Sequence, residues 1–231
     1  VNVLIIGNDL HSLEFLAFVV RQGYRSPMMA HTVPEALALH ERTPAGLVLI
    51  EMTAALGDLL ALCREVRQKM AVPVIVITPW SDEQSLLQLY EAGADDCVVR
   101  PYSPAILEAK IHAFLRMSGW IPPSALSLIE KGAIRLDPEQ HTFVVANGVP
   151  VRLTPLEFRL LYVLILNMGH VLSTETLIEK VWGYTGDGNR DLLKGLVRRL
   201  RSKIEPDLRI PMYIRTIPGV GYMFAMESQS L

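Results

Sequence analysis

The pattern of apolar and polar positions changes character about half-way along the chain. In the first half, short runs that are apolar throughout alternate with longer segments that are apolar on one side only. Val3–Ile6, Leu47–Glu51, Val74–Thr78 and Cys97–Val99 are of the first kind, with Ser26–Met29 a weaker example. A short run with no polar alternation predicts a strand buried on both faces, as in a parallel sheet. Between them, Ser12–Gln22, Val33–Glu41, Asp58–Lys69, Asp82–Ala92 and Ser103–Arg116 show helical spacing. Leu13, Leu16, Ala17 and Val20 form one stripe, and Leu59, Leu62, Cys63 and Val66 another. Gly93 is placed to cap the fourth helix. Strands joined by helix-length crossovers predict an α/β domain with helices on both faces of a parallel sheet.

After Arg116 both periodicities stop. Residues 118–129, with Gly119, Pro122 and Pro123, predict a linker between a regulatory domain at 1–117 and a second domain at 130–227. There the pattern becomes short alternating strands at Ala133–Leu136, Thr142–Ala146 and Val149–Leu153, with Asn147-Gly148 as a two-residue hairpin signal. Thr154, Pro155 and Glu157 then start a helix, as N-cap, first helical residue and capping-box partner. It runs through Leu160, Leu161, Leu164 and Ile165, and a second helix begins at Ser173. Asn189–Glu205 predicts a third. Its apolar stripe is Leu193, Leu196, Val197, Leu200 and Ile204, while Arg190, Lys194, Arg198 and Arg201 make one basic face. Met212–Thr216 and Gly221–Ala225 close the domain as a hairpin around Pro218-Gly219.

Charge sharpens this division. Nine basic residues face thirteen acidic ones before position 121, and thirteen face eleven after it. The excess is small, but six Lys/Arg and one acid fall within Arg190–Lys203. A helix packed by one face and this basic on the other suits the DNA major groove, against the plainer reading of a solvated basic face. The longest apolar runs are too short to span a bilayer, and no export signal opens the sequence. Two cysteines fit a reducing cytoplasm rather than a disulfide framework. Cys97 reads as an inert buried thiol, with redox sensing the lesser alternative.

At the carboxyl ends of the predicted strands, Asn8, Asp9, Glu51, Thr78 and Arg100 converge where open α/β sheets carry their chemistry. The apolar run ending in Glu51, Thr78 ending the fourth strand, "EAGADD" at 91–96 and a basic residue before Pro101 resemble the receiver domain of bacterial response regulators. The resemblance implies a flavodoxin-like (CheY-like) fold with strand order 2-1-3-4-5. "LTPLEFRLLYVLILNMGHVLS", "VWG", "VRRLRSKIE" and "YIRTIPGVGYMF" resemble the OmpR/PhoB-type winged-helix effector domain. That implies an α+β domain with a four-stranded platform, three helices and a hairpin wing. The third helix would read the major groove, and the wing would reach the adjacent backbone or minor groove. Carried over by position, Arg198, Arg199, Arg201 and Lys203 match the basic helix, and Arg215, Gly219, Gly221 and Tyr222 match the wing. Arg190 and Lys194, with Asp191, fall where target choice is expected. The Gly183–Asn189 loop matches the segment that can touch RNA polymerase. Glu91, Asp95, Asp96 and Lys110 match a face through which receivers form homodimers by charged pairs.

The departures bear on mechanism. Gly7 and Asn8 stand where the family places its Mg²⁺-binding acids, Glu51 where it places the phosphoacceptor Asp, and Arg100 where it places Lys. Phosphoryl transfer needs an in-line carboxylate and a cation held by oxygen ligands. The sequence therefore predicts a degenerate receiver with no bound metal or cofactor and no aspartyl phosphorylation. Glu51 either pairs with Arg100, fixing one conformation, or is a solvated strand-end carboxylate. The predicted function is a cytoplasmic, non-enzymatic transcription regulator acting on double-stranded promoter DNA. The alternatives are a conventional two-component regulator phosphorylated by a sensor kinase at a non-standard acid, an enzyme or ligand binder using the pocket, and an adaptor whose basic helix takes an acidic partner.

Overall fold

The computed structural model describes residues 1–23, 25–119, 127–146, 148–182 and 189–225. Its contacts divide the chain into two units, Val1–Trp120 and Ile121–Leu231. The Pro-Pro segment at 122–123, Asn147 and Gly183–Gly188 lie outside the described residues.

In the first unit, β1 (Asn2–Gly7), β2 (Ser26–Ala30), β3 (Ala45–Glu51), β4 (Val74–Thr78) and β5 (Asp96–Val99) form one parallel sheet in the order β2-β1-β3-β4-β5. The uniformly apolar strands take the centre: β1 from Val3, β3 from Leu47 and all of β4 are buried. The connecting helices are α1 (Leu10–Gln22), α2 (Val33–Arg42), α3 (Leu56–Lys69), α4 (Glu83–Ala92) and α5 (Pro104–Gly119). Side chains cap α1, α2 and α4. Asp9, Thr32 and Asp82 accept the backbone N–H of Ser12, Glu35 and Ser85, each satisfying a donor the helix leaves unpaired. Gly93 ends α4 at φ 119°, a conformation that costs a side-chain-bearing residue dearly. The α5 backbone continues to Gly119, past the predicted boundary at 117. No proline interrupts it before Pro122.

The second unit opens with an antiparallel sheet of β6 (Ile129–Lys131), β7 (Ile134–Asp137), β8 (Thr142–Val145) and β9 (Val151–Arg152). The β8–β9 ladder ends at Phe143 opposite Val151. The connection is thus longer than the two residues that Asn147-Gly148 predicted. Then come α6 (Pro155–Leu166), β10 (Leu172–Ser173), α7 (Thr174–Trp182) and α8 (Asn189–Ile204). Finally β11 (Ile214–Ile217) and β12 (Gly221–Phe224) form the wing, in a three-stranded sheet ordered β10-β12-β11. The predicted capping box of α6 is present in both directions. Leu160, Leu161, Leu164, Leu177, Val181, Trp182, Leu193, Leu196 and Leu200 form the core between α6, α7 and α8. Gly195 is buried with them, on the packed side of α8 rather than the basic one.

Candidate nucleic-acid interface and receiver pocket

The receiver pocket is built at the ends of β1, β3, β4 and β5. Burial of β3 on both faces carries Glu51 inward, and it is 3% exposed. The Arg100 guanidinium forms an ion pair with the Glu51 carboxylate and donates to Ser12 Oγ at 3.3 Å. Neither Glu51 oxygen accepts a hydrogen bond among the described residues, so the charge of Arg100 is what compensates the buried carboxylate. Thr78 is buried, and its hydroxyl accepts the Trp80 N–H at 3.2 Å.

The two remaining pocket residues face other partners. Asn8 is tied to the loop after β3: its amide donates to the Thr53 carbonyl at 3.1 Å and accepts the Thr53 N–H at 3.0 Å. Asp9 serves as the α1 cap, and the Ser12 backbone N–H holds its carboxyl below the usual carboxylate range. Gly7 pairs directly with Glu51, and a Cβ there would come within 2.5 Å of the Glu51 carbonyl oxygen. The residues present therefore do not fit the Mg²⁺ ion of the family's phosphorylation chemistry. Asn8 is neutral, Gly7 has no room for a side chain, and Glu51 already has a cationic partner. Among the described residues no group of three or more His, Cys, Asp or Glu comes together that could hold a metal ion.

Of the residues expected at a dimer face, two acids have partners inside the domain. Asp95 is 2% exposed, pairs with Arg67 and accepts the Val74 N–H at 2.9 Å. Arg67 in turn donates to the Gly93 and Val72 carbonyls. Asp96 is 1% exposed and takes Lys110 at 2.6 Å and the Cys97 N–H at 2.8 Å. A buried acid must be paired, and both find that pairing inside the domain. Glu91 is exposed. Cys97 and Cys63 are both buried. Burial, reinforced by Asp96, pushes the Cys97 thiol well up, the opposite of what a reactive thiol requires.

In the second unit, Arg190, Lys194 and Arg198 lie exposed along α8, with Arg199 half-buried. Each of the first two has an acid beside it: Arg190 pairs with Glu175 at 3.0 Å and Lys194 with Asp191 at 2.8 Å. The wing presents Arg215 exposed, and Gly219 turns the chain at φ 75°. Thr174, Glu175, Arg190, Lys194, Gly219 and Tyr222 line a groove between the helices and the wing.

Lys203 and Arg201 turn to acceptors within the domain. Lys203 donates to the buried Glu157 at 2.6 Å and to the Arg152 carbonyl at 3.3 Å. Burial raises the Glu157 carboxyl, but Lys203 and the Thr154 N–H outweigh it and hold the group below its ordinary value. Arg201 donates to the Ile214 carbonyl and to Thr216 Oγ1 at 2.8 Å. Spacing placed both cations on α8, but could not show that their ends find internal acceptors. Glu205 and Glu175 went unnoticed for the same reason, since lone acids leave no periodic signal.

A five-stranded receiver-type sheet and a winged helix in one chain define a DNA-binding response regulator. The family described as response regulator receiver domain matches residues 3–112. The family described as transcriptional regulatory protein, C terminal, matches residues 148–224. Over 96% of its length the chain is 36% identical to the sensory transduction protein RegX3 of Mycolicibacterium smegmatis, covering 97% of that protein. It is 32% identical to the DNA-binding response regulator MtrA of Mycolicibacterium paratuberculosis, over 95% of this chain and 96% of the relative. Among solved structures, a cysteine-to-serine mutant of RitR matches with a TM-score of 0.77 at 24% identity, covering 97% of this chain and 99% of that one. That last likeness is one of fold. The chain belongs to the OmpR/PhoB-type response regulators, and it is a DNA-binding transcription factor.

Proposed function

We infer that this regulator acts on promoter DNA without aspartyl phosphorylation of its receiver. The observation that carries this reading is the ion pair of Glu51 and Arg100 at the phosphoacceptor position. A buried carboxylate already engaged by a guanidinium is a poor nucleophile. The crowding at Gly7 removes the simplest place for a metal-binding acid. The chain is expected to take no phosphoryl group when the purified protein is incubated with acetyl phosphate and Mg²⁺ and followed by intact-mass spectrometry. Stoichiometric labelling at Glu51 or Asp9 would overturn the reading and restore a sensor kinase as partner.

In the same reading, Arg190, Lys194, Arg198 and Arg199 address the major groove. Arg215, Gly219 and Tyr222 bring the wing to the neighbouring backbone, and RNA polymerase is a further partner. The protein works in the cytoplasm. A receiver-mediated homodimer would draw little on Asp95, Asp96 and Lys110, which are engaged within the domain. DNA affinity should fall steeply as salt rises. Arg198→Ala should make the slope of log K against log salt shallower by about 0.9, the value of one lost phosphate contact. Binding indifferent to salt would instead favour an acidic protein partner for α8.

A further inference from the structure

The wing's first strand, β11, is the edge of its sheet: β12 lies on one side of it, and among the described residues no further strand lies on the other. An edge strand leaves a row of backbone N–H and C=O groups that need partners. Arg201, in the last turn of α8, and Glu205, the residue just past its end, supply them. Glu205 accepts the N–H groups of three successive residues: Met212 at 2.7 Å, Tyr213 at 3.1 Å and Ile214 at 2.8 Å. Arg201, four residues earlier, takes the carbonyl of the same Ile214 through Nε and Nη2 at 3.1 and 2.6 Å. It also reaches Thr216 Oγ1 at 2.8 Å and lies 5.9 Å over the Tyr222 ring. Both polar backbone groups of Ile214, itself fully buried, are thus held from the C-terminal end of α8. Hydrogen bonds to ionised groups are among the stronger ones, and two planar charged groups fix direction as well as distance.

We propose that Arg201 and Glu205 form a clamp that sets the wing at a fixed distance and angle from α8, so that both are positioning residues for DNA recognition. The proposal rests on the reading of α8 and the wing as the DNA-contacting elements. It gives Arg201 a different task from the phosphate contact that its place in the basic helix suggests, because its donors are directed at the wing. It also gives an acid, Glu205, a supporting role in binding a polyanion. A wing that is free to shift would no longer place its groups on the backbone while α8 occupies the groove.

The sign of one substitution separates the clamp from plain electrostatics. Glu205→Ala removes a negative charge from a DNA-binding domain, which by charge alone strengthens DNA binding. The clamp requires the reverse. With the full-length chain and a duplex selected by the wild type from a randomised library, affinity should fall about tenfold, the scale of one lost base contact. Arg201→Lys keeps the charge but cannot bridge Ile214 and Thr216, and should also bind more weakly. The double variant should lose little more than the worse single, because both side chains act on one strand edge. In each variant the β11 amides should exchange hydrogen faster while those of α6 keep their protection. Should Glu205→Ala lose cooperative unfolding, Glu205→Gln, which keeps one acceptor oxygen, carries the same predicted sign. Equal or tighter DNA binding by the Glu205 variant, or losses that add, overturns the clamp. If the wild type selects no duplex, it is the DNA-binding reading that fails. Exchange at β11 then still decides: protection unchanged in the Glu205 variant overturns the clamp.

Discussion

Replacing Arg100 by Met should destabilise the receiver unit by about 3 kcal/mol, the low end of the cost of stranding a buried charge. Glu51 is 3% exposed and has no hydrogen-bond donor among the described residues. Without the guanidinium it must stay charged in an apolar setting or take up a proton. The lower figure is appropriate because the Arg100 side chain is 40% exposed, so water can partly replace it. Urea unfolding of the full chain, read by a probe in the first unit, measures the effect. Glu51→Leu in the Arg100→Met background should recover most of the loss, since a buried pair exchanged for apolar groups is often neutral. An Arg100→Met variant as stable as the wild type would mean that Glu51 is compensated some other way, and that the pair does not hold the receiver in one state.

A comparable effect is expected at Gly221, for a different physical reason. A Cβ there would lie 2.0 Å from the Leu172 carbonyl oxygen and 3.0 Å from two further backbone carbons. Those atoms belong to the β10–β12 ladder, where Ser173 pairs with Gly221. Backbone cannot swing aside as the end of a side chain can. Gly221→Ala should therefore cost about 3 kcal/mol, the upper range for overpacking, and should part β12 from β10. Gly219→Ala is the instructive control. There is open space around Gly219, but its φ is 75°, so only the left-handed backbone penalty of about 1–2 kcal/mol applies. Thermal unfolding of the two variants side by side distinguishes the causes. Gly221→Ala should also lose DNA binding.

The parts of the fold legible in the sequence are those in which one residue type has one physical outcome. Strands buried on both faces must be apolar throughout, so β1, β3 and β4 stand out. Caps need a short oxygen-bearing side chain at one position, so Thr154 with Glu157 could be read directly, as could Gly93. Strands of two or three residues could not. β6 shows a single buried position, Ile129, and β10 consists of two half-buried residues that pair only because β12 returns to them. Sites were legible to the same extent. The strand-end positions of Glu51 and Thr78 could be read, because a strand end is predictable from the strand. Their partners were found only where the chemistry demanded one, as for Glu51 with Arg100. Asn8 stands where the family places a metal-binding acid, but it is bonded to Thr53, 45 residues away. Asp95 and Asp96 resembled surface charges because their partners, Arg67 and Lys110, lie 28 and 14 residues distant. Periodicity reports which face of a helix is wet, and says nothing about where the tip of a long cation ends. For that reason Arg201 and Lys203 were grouped with Arg190, Lys194 and Arg198.

The two thiols have a practical consequence that follows from where they are. Cys63 and Cys97 are the only cysteines in the chain, both are buried, and both belong to the first unit. A thiol reagent added to the native protein can therefore modify it only when that unit opens, while the winged helix stays silent. Labelling speed becomes a stopwatch for receiver breathing, obtained without engineering a probe. It can be read in the presence and absence of any candidate effector, and a compound that slows the clock is one that closes the receiver.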